Sequence, residues 1–132
     1  MNDFGLLFLR VAASALMLGH GYGKVVDLFA GSTGFPDPLG IGATASLTLA
    51  AFGEFVCALL VLIGLKTRWS AIPVVGTMMV AALLFHRSDP FAEKELALLY
   101  AVPFTALIFT GGGAWSIDGL LARRKGRRRK RR

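Results

Sequence analysis

Seven residues whose side chains could do chemistry stand in or beside long apolar stretches: Arg10, His20, Lys24, Glu54, His86, Glu95 and Tyr100. Arg10 and Glu54 carry most of the information, because each lies well inside such a stretch. An ionised side chain at the centre of a bilayer costs at least ~2.5–3.5 kcal/mol on insertion scales. Two of them in a small bundle must pair, neutralise or line a wet cavity. Counted inward from opposite faces, the two backbones differ in depth by a few ångströms at ~1.5 Å rise per residue. A long Arg side chain spans that gap, so an Arg10–Glu54 pair is expected in the bundle interior. Such a pair either fixes helix packing and register or marks a functional site.

The other residues gather toward the opposite end. His20 and Lys24 are four apart and share a helix face; Arg10, Met17, Gly21 and Lys24 run along a neighbouring stripe. His86 follows the third apolar stretch, Glu95 opens the fourth, and Tyr100 lies about one and a half turns further in. Together they are expected to line a substrate cavity that opens outward and narrows toward Glu54. Each also has a plainer reading: Lys24 snorkels, His86 is solvated in a loop, and Glu95 complements a helix dipole. Cys57, one turn beyond Glu54, reads as a small buried hydrophobe. His20 and His86 could hold a haem between helices, but two histidines argue for it only weakly. No metal-ligand set and no nucleophile–base–acid set is apparent, so no catalytic residue is assigned. Gly19, Gly21 and Gly23 follow no strand and make no nucleotide fingerprint; they read as points of close helix approach.

The elements that must position these residues are membrane spans. Only 17% of the 132 residues are charged and 55% are apolar, against about a quarter charged in a soluble domain. Four apolar runs, Phe4 to Val26, Ala43 to Leu65, Trp69 to Phe85 and Glu95 to Thr110, approach the ~20 residues that cross a bilayer. Backbone groups cannot go unpaired in lipid, so these runs are helices. Gly- and Pro-rich GSTGFPDPLG, the short Lys66-Thr67-Arg68 link and the His86 to Lys94 loop separate them. Pro73 and Pro103 fall inside spans three and four, and Trp69 and Trp115 take aromatic-belt positions. The expected fold is all-α, a membrane-embedded four-helix bundle over residues 1–122 with a basic tail at 123–132.

Nine of the fifteen Lys and Arg residues lie in that tail, so the net charge of +7 belongs to the tail and not to the fold. No specific nucleic acid is expected as a partner, though such a tail attracts polyanions weakly. Eleven Lys and Arg fall on the side of Lys66 and the tail, and three on the other. The positive-inside rule then predicts a multi-pass plasma-membrane protein with both termini cytoplasmic. The tail reads as a topology anchor that also touches anionic lipids of the bilayer. The first residues carry no positive charge and Arg10 interrupts the apolar region, so no cleaved signal peptide is expected.

In order along the chain, LLFLRVAASALMLGHGYGK, GFPDP, GEFVCALLVLIGLKTRWSA, ELALLY and WSIDGLL resemble the DoxX/DoxD-like membrane family. The resemblance covers nearly everything but the Arg-rich tail. It implies a four-helix membrane fold and a loose association with quinone-linked oxidoreductases, because relatives include a subunit of a thiosulfate:quinone oxidoreductase. It also puts Arg10, His20-Gly21, Lys24, Glu54, Thr67-Arg68, Glu95 and Ser116-Asp118 on the family's characteristic polar positions. The function expected is a membrane subunit of a quinone- or thiol-linked redox system. Quinone is the candidate ligand, no cofactor is intrinsic, and the electrons come from a soluble redox partner. The alternative is a non-catalytic scaffold or a small transporter, and self-association is open in either case.

Overall fold

The computed structural model describes residues 2–131; Met1 and Arg132, the last arginine of the tail, lie outside them. The described residues form five helices: α1 (Asp3–Phe29), α2 (Ala43–Ile63), α3 (Thr67–Phe85), α4 (Phe91–Thr110) and α5 (Ile117–Lys130). The first three are long and apolar enough to cross a membrane. The fourth has twenty residues, and its first five include Glu93, Lys94 and Glu95. The expected spans lie inside α1 to α4 except at the end of the second, which stops at Ile63. Pro73 and Pro103 stay within their helices. Helix α5 runs from Ile117 into the basic tail and ends at Lys130.

Local chemistry sets the ends of these helices. The Asn2 side chain accepts from the Gly5 amide at 2.7 Å and caps α1. Gly64, in the left-handed conformation at φ 75°, closes α2, and the Gly64 and Leu65 amides return to the Val61 and Leu60 carbonyls. Lys66 is also left-handed, at φ 47°, so the chain reverses within three residues and begins α3. At the opposite end the loop between α1 and α2 is held by Asp37. Its carboxylate accepts from the Ile41 amide (3.0 Å), the Gly42 amide (2.7 Å) and the Ser46 hydroxyl (2.7 Å). The Ser46 bond, then that from Gly42, holds the exposed carboxyl below the usual range.

Helices α1 and α2 pack together, as do α3 and α4, and further contacts join α2 to α3 and α1 to α4. Met17, Cys57, Ala58, Val61, Ala71, Val74, Phe104 and Leu107 are almost fully buried between them. Phe8, Leu16, Trp69, Leu99, Val102 and Phe109 point outward. An apolar surface this extensive suits hydrocarbon and not water.

Two close approaches fix the register. A Cβ on Gly21 would stand 2.4 Å from the Glu54 carbonyl oxygen, so the α1 backbone lies directly on that of α2. A Cβ on Gly53 would meet the Thr77 hydroxyl at 2.3 Å, which seats α2 on α3. Gly19 and Gly23, expected to serve the same purpose as Gly21, face open space. Beside these contacts both helices widen into π-helical turns, Phe52–Cys57 in α2 and Ala81–Phe85 in α3. Such turns rotate the following side chains out of α-helical register and recur at functional sites.

The two glycines give a direct comparison. Gly21→Ala is expected to destabilise the protein by about 1–3 kcal/mol, the range for overpacking. Gly23→Ala should be neutral or stabilising by up to ~1 kcal/mol from helix propensity. Thermal unfolding of both variants in detergent reads the difference, and equal midpoints would refute the register described.

Candidate functional site

The π-helical turn of α2 carries Glu54 into the interior, where its side chain is 4% exposed and forms an ion pair with Lys24 of α1. Gly21, one turn before Lys24, is what lets the two helices approach closely enough for this contact. Lys24 therefore bends inward to the carboxylate and keeps a quarter of its side-chain surface accessible. Removing either partner would leave the other charge unpaired in a low-dielectric setting, so the two losses are not additive.

The Arg10–Glu54 pair expected from the sequence does not form. Arg10 lies eleven residues before Gly21, about 16 Å along the helix at ~1.5 Å per residue, whereas Glu54 stands level with Gly21. Equal counts from the helix ends are not equal depths, because α1 has 27 residues and α2 has 21. The guanidinium instead binds backbone: Nη1 donates to the Val61 carbonyl at 3.3 Å and to that of Leu62, and Nη2 to the Trp115 carbonyl at 2.8 Å. A cation there serves the orphan carbonyls and the negative dipole end of α2.

Around Arg10 the turn between α2 and α3 is clasped by the segment before α5. Asp118 accepts from the Lys66 amide (2.7 Å) and the Thr67 amide (2.8 Å), which caps α3, while its own amide donates to the Gly64 carbonyl at 2.9 Å. Ser116 caps α5 by accepting from the Gly119 amide at 3.1 Å. Arg10, Thr67, Ser116 and Asp118 thus form one structural clasp, well away from Glu54. Asp118 is easily missed from sequence, because it caps a helix that begins 51 residues earlier in the chain.

Two cavities meet at the Lys24–Glu54 pair. The larger, about 490 Å³, lies between α2 and α3 under the loop that Asp37 holds; Phe35, Pro36, Leu39, Phe52, Gly76 and Phe85 give it apolar walls. The smaller, about 130 Å³, lies toward α4 and is lined by His20, Glu93, Tyr100, Met17 and Met78. Lys24, Glu54, Ala81 and His86 border both. The ion pair is therefore a polar partition between an apolar chamber and a smaller, more polar one.

Of the residues singled out from sequence, His20, Lys24, Glu54, His86 and Tyr100 come together here. His20 and Tyr100 meet edge to face, with ring centroids 5.2 Å apart, and His86 Nδ1 lies 2.7 Å from an Asp89 carboxylate oxygen. Arg10 does not join them. Glu95 is exposed and borders neither cavity; its neighbour Glu93 takes the place expected of it. The signal for Glu93 was available, since Glu93, Leu96, Ala97 and Tyr100 follow the i, i+3, i+4, i+7 stripe of one helix face. Among the described residues no three His, Cys, Asp or Glu side chains converge to hold a metal ion.

The family model described as DoxX matches residues 5–87, which include both members of the ion pair and the α2–α3 turn. Inner membrane protein YqjF of Escherichia coli is 32% identical over 127 residues, covering 92% of this chain and 95% of that protein. An uncharacterized protein of Haemophilus influenzae is 32% identical, covering 89% and 90%. The uncharacterized membrane protein Rv3486 of Mycobacterium tuberculosis is 28% identical, covering 90% and 82%. No solved structure matches.

A double-mutant cycle separates the observed pairing from the one that does not form. Lys24→Met and Glu54→Gln should each cost about 3 kcal/mol, at the low end for a buried pair because Lys24 keeps some solvent. Their coupling should be about 1–3 kcal/mol, whereas Arg10→Met and Glu54→Gln should add within ~0.5 kcal/mol. Unfolding in detergent measures both cycles, and coupling confined to the Arg10 cycle would contradict the geometry.

Proposed function

The chain belongs to the DoxX family of membrane proteins, and from that premise we propose that its large cavity binds a quinone or another small hydrophobic redox molecule. In this reading the protein is the membrane subunit of a redox system, and a soluble partner supplies the electrons. The observation that carries the reading is the ion pair at the wall of an apolar chamber. A volume of about 490 Å³ falls within the range of small-molecule pockets, which combine apolar walls with a few polar groups that fix orientation. The Lys24 ammonium has donors left over for a ligand carbonyl. Glu54 stands beside it as a carboxylate that can give or take a proton as the ligand changes redox state. Intramembrane charges that face a cavity, and not a neighbouring backbone, carry function by default.

The same reading has α4 cross the membrane with α1 to α3 as a four-helix bundle. Both termini and the basic helix are then in the cytoplasm of a plasma membrane, and the Phe35–Leu39 loop faces outward. The asymmetry of eleven Lys and Arg against three supports this. A Ser88→Cys protein in a Cys57→Ser background should be labelled by an impermeant maleimide in intact cells. Gly126→Cys should be labelled only after permeabilisation. The reverse pattern would invert the topology.

Ligand occupancy is tested by solvent extraction and mass spectrometry of protein purified in mild detergent. The native protein should carry a quinone or similar hydrophobic molecule in near-stoichiometric amount. Gly76 borders the chamber, and a Cβ there meets open space; Gly76→Leu should cut occupancy at least tenfold with no loss of stability. The paired change Lys24→Met with Glu54→Gln removes both charges and should also empty the site while the protein stays folded. Undiminished ligand in both variants, or none above the detergent blank in the native protein, would end the proposal.

A further inference from the structure

Helix α5 is built to be unstable by itself. Seven of its fourteen positions are Lys or Arg, and Arg123–Arg127, Arg124–Arg128 and Lys125–Arg129 place like charges four apart, where they repel. Gly126 sits among them and weakens the helix further. Leu120 to Arg131 are exposed. Isolated helices of this length are marginal in water even with favourable sequences. The helix needs a counter-charge that the described residues do not supply: its one acidic residue is Asp118, whose carboxylate is committed to the Lys66 and Thr67 amides.

The root of the helix indicates where that charge comes from. Ser116 and Asp118 anchor its first turn to the clasp at the end of α2 and α3. Beside it, Trp115 is exposed and meets Phe4 edge to face at 6.5 Å, as aromatic residues do at a membrane surface. Ile117, Leu120 and Leu121 follow, and only then the basic run. A helix about 21 Å long at ~1.5 Å per residue thus starts beside an aromatic-belt residue, and when it lies along the headgroups it keeps its whole length near them. Attraction between Lys or Arg and anionic lipid acts within about one Debye length, ~8 Å at physiological salt. Tethering makes the bilayer the polyanion of highest effective concentration.

We propose that the segment from Ala122 to Lys130 is a binding surface for anionic phospholipid headgroups of the protein's own membrane, and that contact with them folds it into the helix seen here. Without anionic lipid the segment is unwound, and with it the basic face lies along the headgroups. The proposal requires only that the root of α5 lies at a membrane surface. It is independent of the ligand in the large cavity.

Hydrogen exchange on the full-length protein in nanodiscs tests this directly. Discs of phosphatidylcholine alone are compared with discs containing about a third phosphatidylglycerol, with the α1 to α3 amides as internal control. Amides from Ala122 to Lys130 are expected to exchange at least tenfold more slowly in the anionic discs. That protection should disappear when salt is raised from 50 to 500 mM. Replacing Arg127, Arg128 and Arg129 with Gln should reduce the difference between the two lipids. Equal exchange in the two discs overturns the proposal, whether fast or slow in both. Protection that requires added RNA or an acidic protein would overturn it in favour of a soluble polyanion.

Discussion

A carboxylate held inside a bundle of apolar helices must have a cation at hand, and much of this structure serves to bring one there. Glu54 sits where α2 widens into a π-helical turn, and Lys24 reaches it because the α1 backbone lies against α2 at Gly21. Replace that glycine with any larger residue and the helices move apart, which exposes both charges to a medium that solvates neither. The register of α1 on α2, the position of the cavities and the use made of Arg10 all follow from this one contact.

The two ends of the bundle divide the labour. At one end Arg10, Ser116 and Asp118 spend their polar groups on backbone: they terminate one helix, begin another and lock the fold. Toward the other, Lys24 and Glu54 spend theirs on each other and on the walls of two chambers, beneath a loop that Asp37 ties down. Both sets look alike in the sequence, as polar residues in apolar surroundings. Only the geometry separates those that hold the chain from those that border empty space.

Composition and run length made the all-α fold legible, and each long helix was found within a few residues, because hydrophobic length and Gly- or Pro-bearing breaks are local properties. Helix α4 begins four residues earlier than expected, since its charged first turn does not look apolar. The site was legible in part. His20, Lys24, Glu54, His86 and Tyr100 do gather, but the cation assigned to Glu54 was the wrong one. Pairing depends on register between helices, and register here is set by Gly21 alone out of three similar glycines. The cap that Asp118 provides was invisible for the same reason, being a contact between residues far apart in sequence.

That distant cap bears on how the protein is made. The reversal between α2 and α3 is complete only when Asp118 receives the Lys66 and Thr67 amides, and the ribosome adds that aspartate some fifty residues after the turn it serves. Until then the α2–α3 hairpin must enter the bilayer with two amides at its tip unclaimed by the protein and left to water. Docking of the α5 root therefore follows entry of that hairpin, and a segment of modest hydrophobicity completes the turn between two of the most apolar helices.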